Sequence, residues 1–319
     1  MKSVLITGIN GFVGSWCAEY ILNNKPEIDL IIGTKRINSD LKNINHLLNN
    51  KKLKLIDVDL EDSNSIKNIF KYKFDKCFHL AAQSSVKFSF EKPVETINTN
   101  VIGTINLLED FRRYNQECVI LISGSSEQYG NQKIYPIIET AELNPLSPYG
   151  VSKVAQEKMA YQYCQSYGLK TIITRSFNHE GPRRGINFVT SSFARQIIDI
   201  EKGIKKPLIL HGNLEAQRDF IDVRDIVKAY WVATEKCIYG ESYNICSGKC
   251  IKIEDMLNYM INNSTVKNIK KELDTTKLRP LDLEKIEGSN LKFVNQTGWE
   301  PEINIEQTFI DILNYWRNN

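Results

Sequence analysis

The sequence predicts an α/β fold, a doubly wound parallel sheet with a smaller, mixed α/β lobe toward the C-terminus. Two observations carry that expectation. Up to about residue 175, short apolar runs alternate with helical patterns, as buried strands and their covering helices do. The first run, residues 3 to 6, leads directly into Thr7-Gly8-Ile9-Asn10-Gly11-Phe12-Val13-Gly14, and a helical pattern through Ala18, Tyr20, Ile21 and Leu22 follows. Glycines at 8, 11 and 14 permit a tight turn, close approach of backbone to a pyrophosphate and close helix–strand packing. The helix N-terminus then faces the anion. The strand–turn–helix setting makes this a Rossmann-type dinucleotide site and places Gly8, Gly11, Phe12, Val13 and Gly14 at the cofactor.

The next elements follow the same alternation. A second strand, Leu30 to Gly33, ends in Thr34-Lys35-Arg36, where an NAD-selective site usually has an acid for the ribose 2′-hydroxyl. With no acid there and two cations for a 2′-phosphate, NADP is favoured over NAD and Arg36 becomes a cofactor contact. The bland reading is two surface charges. The Asn- and Lys-rich stretch from Asn38 to Lys54 reads as a solvated helix and loop. Leu53 to Leu60 is a strand whose end brings Asp59 and Leu60 near the adenine. Cys77-Phe78-His79-Leu80-Ala81-Ala82-Gln83 is a buried strand ending in small residues, so Leu80, Ala81 and Ala82 let a cofactor come close. Asn98 to Arg113 reads as a helix, Val119 to Ser123 as the fifth strand, and Thr171 to Arg175 as another.

The fifth strand ends in Ser123-Gly124-Ser125-Ser126-Glu127-Gln128-Tyr129-Gly130, at the carboxyl edge where open α/β sheets bind ligands. Serines before a Tyr-Gly turn are equally good turn chemistry. In Ser147-Pro-Tyr149-Gly-Val-Ser-Lys153, Tyr149 and Lys153 are four apart and share a helix face. A phenol has a reference pKa near 10, and bringing it to about 7 takes roughly 4 kcal/mol. An ammonium about 4 Å away at an effective dielectric of about 20 supplies roughly that much. The pair therefore reads as an acid/base tuned to working pH, with Ser125 opposite Tyr149 and Glu127 beside it.

Beyond residue 175 the character changes. Ser176 to Gly185 is a loop, and a helix runs from about Thr190 to Lys202. Leu208 to Gly212 precedes Gln217-Arg-Asp-Phe-Ile-Asp-Val-Arg-Asp225, and helices around Ile253 to Ile261 and at the C-terminus complete the chain. Arg183, Arg184 and Arg218 suit the pyrophosphate of a substrate, or else belong to surface ion pairs. The domain reading is 1–175 for the NADP-binding part, with a returning segment near 212–246, and 176–319 for a discontinuous substrate lobe.

Composition narrows the class. The chain has 319 residues, is 42% apolar and carries a net charge of +3. That is enough for a full core, and the balanced charge gives no reason to expect nucleic acid or an anionic membrane. Nowhere do 18 consecutive apolar residues occur, and the N-terminus reads as a strand and not a signal peptide. Seven scattered cysteines with no CxxC pair read as reduced thiols of a cytoplasmic protein, and four histidines without ligand spacing argue against a metal.

With Thr7-Gly-x-x-Gly-x-x-Gly14, His79-Leu-Ala-Ala82, Ser125 and Tyr149-x-x-x-Lys153 in this order, the chain resembles the extended short-chain dehydrogenase/reductases that act on nucleotide sugars. Ser125-Ser-Glu-Gln-Tyr-Gly130, Phe177-Asn-His-Glu-Gly-Pro-Arg-Arg-Gly185 with Phe188-Val189, and Gly212 to Asp219 look most like the GDP-mannose 4,6-dehydratases within them. The resemblance implies Ser125 as hydroxyl partner, Glu127 as the dehydratase carboxylate, Tyr149 as base and Lys153 as its partner. It places Asn178, Arg218 and Arg279 at a GDP pyrophosphate, Asp282 at the ribose, Phe188 and Val189 near the guanine, and Ser85 and Ser126 with the substrate. It also implies a homodimer or homotetramer, in which the Arg-Arg loop reaches a neighbour's cofactor site. Three positions depart from the dehydratase pattern: Ser125 stands for Thr, Gly181 for Ser, and Phe220-Ile-Asp-Val223 replaces a Trp-Gly-His-Ala type run. The last looks more like the related 4-keto-6-deoxymannose reductases. The sister activities of C4 dehydrogenase, epimerase or 4-keto reductase therefore stay open, as does the sugar, mannose or a manno-heptose.

Overall fold

The computed structural model describes residues 1–278 and 282–319. In chain order the first part comprises β1 (Ser3–Thr7), α1 (Phe12–Asn24), β2 (Leu30–Lys35), β3 (Leu53–Asp57), α2 (Ser63–Lys67), β4 (Lys76–His79), α3 (Val86–Glu91) and α4 (Pro93–Ile97). It continues with α5 (Gly103–Tyr114), β5 (Val119–Ser123), α6 (Pro148–Tyr167) and β6 (Lys170–Ser176). After β7 (Asn178–Glu180) and α7 (Val189–Glu201) come β8 (Leu208–His211), β9 (Gln217–Asp222), α8 (Val223–Lys236), β10 (Ser242–Ile245) and β11 (Cys250–Lys252). Then α9 (Ile253–Asn262), β12 (Lys270–Leu273), β13 (Lys285–Ile286), α10 (Leu291–Thr297) and α11 (Ile305–Arg317) close the chain.

Seven strands form one parallel sheet in the order β3-β2-β1-β4-β5-β6-β10. The chain leaves β1 in one direction and returns at β4 in the other, so the crevice at the carboxyl ends of β1 and β4 is where such a sheet takes a ligand. All five residues of β1 are buried, as expected for a central strand covered on both faces. One core lies between the sheet and α1 with α8, and contains Phe78, Tyr230 and Trp231. The other lies beneath α2, α5 and α6, and contains Leu107, Phe111 and Ile120. A third core, with Phe193, Leu257 and Phe309, belongs to α7, α9 and α11.

The chain crosses between its parts more than once. Strand β9 pairs with β7, β11 and β13 outside the large sheet, yet the next residues form α8, which packs on α1, and β10, which joins the edge beside β6. Asp222 sits at this junction. It caps α8 through the Arg224 amide at 2.7 Å, and accepts from the Arg224 side chain at 2.8 Å and from Thr308 of α11 at 2.6 Å.

Two local readings change. The segment from Asn38 to Lys54 is less solvated than its composition implies, because a 3-10 turn over Lys42–Leu47 buries Ile44 and Leu47 in the first core. The helix expected from Asn98 opens with a wide π-type turn over Asn98–Ile102 before α5. The turn lets Asn100 face inward, where its amide bonds both backbone groups of Gln83 and the Ser152 hydroxyl at 2.8 to 3.0 Å.

The glycine turn is packed against its surroundings. Gly8 has φ +67° and a side-chain carbon there would meet Ala81 Cα at 2.8 Å, while one on Gly14 would meet the Gly8 carbonyl at 2.2 Å. Neither atom is at the end of a flexible side chain, so the backbone itself would have to move. Gly14→Ala is therefore expected to cost about 1–3 kcal/mol, read as a lower Tm, and to weaken dinucleotide binding measured by calorimetry.

Candidate active site

Strand β5 delivers the chain to Ser125, which caps a 3-10 turn over Ser126–Gln128. The Ser125 hydroxyl accepts from the Glu127 amide at 3.2 Å, and the Ser125 amide donates to Gln128 Oε1 at 2.8 Å. Opposite it, α6 starts at the Ser147 cap, whose hydroxyl accepts from the Gly150 amide at 3.0 Å, with Pro148 in the first turn. Tyr149 and Lys153 lie on one face of α6 and both are buried. The Ser125 hydroxyl lies close enough to the Tyr149 phenol to favour its ionised form. Ser125, Glu127, Tyr149 and Lys153 are thus brought together as the sequence predicts.

The electrostatics differ from the simple Tyr/Lys expectation. Burial, then the Glu127 carboxylate, pushes the Tyr149 phenol above its ordinary value; the Ser125 hydroxyl and the Arg184 guanidinium oppose this and do not win. The Lys153 ammonium lies 5.8 Å from the Tyr149 ring centre and donates at 2.8 Å to the Ser123 carbonyl. Burial brings Lys153 itself down to about 7. The amine is bonded to the strand end instead of the phenol oxygen, so desolvation outweighs its pull on Tyr149.

The expected cofactor residues converge at the carboxyl ends of β1 and β4. Gly8, Gly11, Phe12, Val13 and Gly14 form the turn into α1, and among the described residues no side chain caps that helix and no acid lies in its first turn. Thr7 Oγ1 accepts the amides of Leu80 and Ala81, both at 3.1 Å, which fixes Leu80, Ala81 and Ala82 against the turn. The Thr7 hydroxyl proton is then free for His79 Nδ1 at 2.8 Å. Because Thr104 spends its proton on the Asn100 carbonyl, His79 Nε2 must donate to Thr104 at 2.9 Å. Burial, then the Lys153 charge, takes His79 down to about 3, so this imidazole is a neutral strut. The tight cradle and uncapped helix fit a dinucleotide pyrophosphate.

At the ribose end the two cations part company. Lys35 is tied to Asp57 at 2.5 Å and is not available in the way the sequence implies. Arg36 is more than half exposed, bonds Thr99 at 3.1 Å and lies 3.8 Å from Glu61. Asp59 bonds the Glu61 amide at 3.0 Å and Leu60 packs against Gly103.

Across the crevice, Arg218 of β9 and Asp282 form an ion pair at 2.8 Å, and Asn213 donates to the same carboxylate at 3.1 Å. One cleft is lined by Glu127, Arg218, Asp282 and Ser147 together with Val86 and Phe90 of α3. Ser85 caps α3, Ser126 is buried in the turn after β5, and Asn178 opens β7. Phe188 caps α7, Val189 begins it, and Phe188 stacks on Arg184 with 3.9 Å from guanidinium to ring. Arg279 lies outside the described residues.

The three arginines do not form one cluster. Arg183 stacks on Trp16 at 4.0 Å and pairs with Glu19; Arg184 pairs with Glu180 at 3.2 Å and faces the Phe12 ring at 5.2 Å. Trp16 also donates to the Pro182 carbonyl at 3.0 Å. Within this chain the Arg-Arg loop is therefore tied to its own α1, on the glycine-turn side, and of the three arginines it is Arg218 that lines the cleft. The placement of Arg184 near Tyr149, and the apolar wall of Val86 and Phe90, are not apparent from sequence. The spacing of Val86 and Phe90 by four was the available signal.

The family model for GDP-mannose 4,6 dehydratase matches residues 5–312. GDP-mannose 4,6 dehydratase 2 of Arabidopsis thaliana is 33% identical, over 96% of this chain and 84% of that one. GDP-6-deoxy-D-mannose reductase of Pseudomonas aeruginosa is 29% identical, over 99% of this chain and 98% of that one. The solved structure of RMD from Pseudomonas aeruginosa complexed with NADPH superposes with a TM-score of 0.85 at 28% identity, covering 100% of this chain and 99% of that one. No helix among the described residues is long and apolar enough to cross a membrane.

The depressed Lys153 gives a pH test. Its folded value, about 7, lies below that of an unfolded lysine, so between those values the unfolded chain binds the extra proton and stability rises with pH. In the protein without cofactor, Tm of Lys153→Met minus Tm of the parent should shrink as pH rises from about 7 toward about 10. A difference that stays flat over that range would contradict the burial of an ionisable amine.

Proposed function

The chain belongs to the GDP-mannose 4,6 dehydratase family, and we propose that it converts a GDP-linked manno-configured sugar, GDP-mannose or a GDP-manno-heptose, to its 4-keto-6-deoxy derivative. The observation that carries this reading is the juxtaposition of Glu127 and Tyr149: Gly150, next to Tyr149, packs so close to the turn after β5 that a side-chain carbon on it would meet the Glu127 carbonyl at 2.7 Å, and Glu127 and Arg218 line one cleft. Two groups able to move protons, set apart by chemistry and held within one site, are what an oxidation followed by an elimination requires.

A nicotinamide dinucleotide, NADP in preference to NAD because Arg36 and no acid stands at the end of β2, supplies the hydride acceptor for C4 and the donor for C6 when bound. The glycine turn, Leu80 to Ala82 and Arg36 hold it. Tyr149 takes the proton from the C4 hydroxyl as the phenolate, a form that burial disfavours in the empty site and that the positive charge of an oxidised nicotinamide would favour, with Ser125 orienting that oxygen. Lys153 holds the strand end at Ser123 and carries a proton readily near neutral pH. Once C4 is a ketone, the hydrogen on C5 is acidic; Glu127 removes it and hands a proton to the C6 hydroxyl, which leaves as water, and C5 regains a proton from solvent when C6 takes the hydride. Arg218 and Asn178 hold the GDP pyrophosphate, and Arg279 joins them by family likeness. Asp282 would meet the ribose on giving up its bond to Arg218.

A second reading has a specific observation behind it, the 29% identity to a reductase over nearly the whole chain. C4 dehydrogenation, epimerisation or 4-keto reduction would use Ser125, Tyr149 and Lys153 without Glu127. The discriminating event is loss of water. Incubated with GDP-mannose or a GDP-manno-heptose in D2O and with no cofactor added, the purified protein should release a product lighter by one water with deuterium at C5, read by mass spectrometry. Turnover that depends on added NAD(P)H and loses no water would reassign it to the sister activities.

Two variants dissect the roles. Glu127→Gln should accumulate a 4-keto sugar that keeps its C6 oxygen, and complete dehydration by this variant would refute the role of the carboxylate. Arg218→Ala should raise KM for the GDP-sugar by about tenfold or more, the worth of a charge-assisted hydrogen bond, with NADP affinity unchanged. An unaltered KM would remove Arg218 from the substrate.

A further inference from the structure

The face of α6 that carries Tyr149 and Lys153 has a third polar member one turn on. Glu157 is 4% exposed, and both of its oxygens are engaged by Arg175 of β6, at 2.8 Å from Nε and 2.6 Å from Nη2. The same carboxylate accepts from the Gln128 amide nitrogen at 2.6 Å. Gln128 is fully buried, and its amide oxygen accepts from the Ser125 backbone at 2.8 Å. Because oxygen must face the Ser125 amide and nitrogen the carboxylate, the Gln128 side chain has one orientation. Arg175 is fixed in turn by the Tyr129 hydroxyl and the Glu139 carbonyl, both at 2.8 Å. The turn bearing Ser125 and Glu127 is thus bolted to α6 at two successive levels, Lys153 to Ser123 and Glu157 to Gln128.

We propose that Gln128 and Glu157 are positioning residues: Glu157, clamped by Arg175, holds the Gln128 amide, and that amide holds the turn that presents Ser125 and Glu127 to the substrate. Neither side chain lines the cleft, so they act on the rate of chemistry and not on substrate affinity. The inference rests on the functional reading above for its kinetic test, and on geometry alone for its second test.

Gln128→Met keeps the length of the side chain, removes both bonds and leaves the Glu157–Arg175 pair intact. With NADP and the GDP-sugar turned over by the parent, kcat should fall on the order of 100-fold while KM stays within about threefold, the signature of a misplaced reacting group. In the NADP-loaded variant, amide hydrogen exchange across residues 123–130, read by mass spectrometry, should accelerate about tenfold or more. Gln128→Glu gives a signature that loss of packing cannot. A protonated acid at 128 accepts from the Ser125 amide and donates to Glu157, reproducing the native pattern, whereas two ionised carboxylates in contact repel. Its kcat relative to the parent should therefore be highest at acid pH and fall as pH rises. Parent-like kcat and exchange in Gln128→Met, or a Gln128→Glu ratio that is flat with pH, would overturn the proposal. If the parent turns over no GDP-sugar, the functional reading fails and the exchange measurement alone decides the positioning role.

Discussion

The site depends on one buried ion pair. Arg175 and Glu157 are 6% and 4% exposed, and they join β6 to α6 behind the reactive face. Burial alone would raise the Glu157 carboxyl, but hydrogen bonds and charge from Arg175, and then Gln128, bring it below its ordinary value. Removing one member of such a pair leaves an uncompensated charge, at about 3–5 kcal/mol. The remaining hydrogen-bonding capacity is spent on Gln128, Tyr129 and Glu139. Tyr129 then bonds Asn244 of β10 at 2.6 Å, and Asn244 bonds the Glu139 carboxylate at 2.8 Å. One polar plate therefore ties together β5, α6, β6 and the strand that returns to the sheet edge. With the plate intact, the positions of Ser125 and Glu127 follow from those of α6 and β6.

The second constraint is the crossing between the large sheet and the lobe. Strand β9 carries Arg218 toward the cleft and Asp219 away from it. Asp219 is fully buried and accepts the Ser247 amide at 2.8 Å, the Ser247 hydroxyl at 2.7 Å and the Gly248 amide at 3.0 Å. Asp222 then closes β9 onto α8 and α11. A single six-residue strand thus sets where the cleft-facing arginine stands relative to Glu127, because its carboxylates pin it to the segment after β10 and to the helices on either side. On the proposed reading, a substrate held by Arg218 would meet Glu127 only if that strand keeps its place.

The parts of this arrangement that sequence reveals are those governed by local rules. The glycine turn is visible because strand, turn and helix are contiguous, and Gly8 and Gly14 have backbone neighbours that tolerate no side chain. The Tyr149–Lys153 face is visible because helical spacing fixes it. What escapes is long-range. Lys35 looks available until β3 brings Asp57 beside it, and Arg183 and Arg184 look like substrate ligands until Trp16, Glu19 and Phe12 claim them. Ile44 and Leu47 sit in a polar stretch and are buried by α1, which composition alone does not foretell. Glu157 had a local signal, its spacing of four from Lys153, but its purpose comes from Arg175 on a different strand.

Most of the site is indifferent to which reaction follows C4 oxidation. On the proposed reading the glycine turn, Ser125, Tyr149 and Lys153 would serve a reductase, an epimerase or a dehydratase alike, so similarity to a reductase on one side and dehydratases on the other does not divide them. Glu127 is the residue on which the proposed readings part, because only an elimination asks for a second group to take a proton, the one on C5 of a 4-keto sugar. The framework of Gln128, Glu157 and Arg175 holds the turn that carries it against α6, so the place of this carboxylate is set from behind the site and not by the cleft it faces.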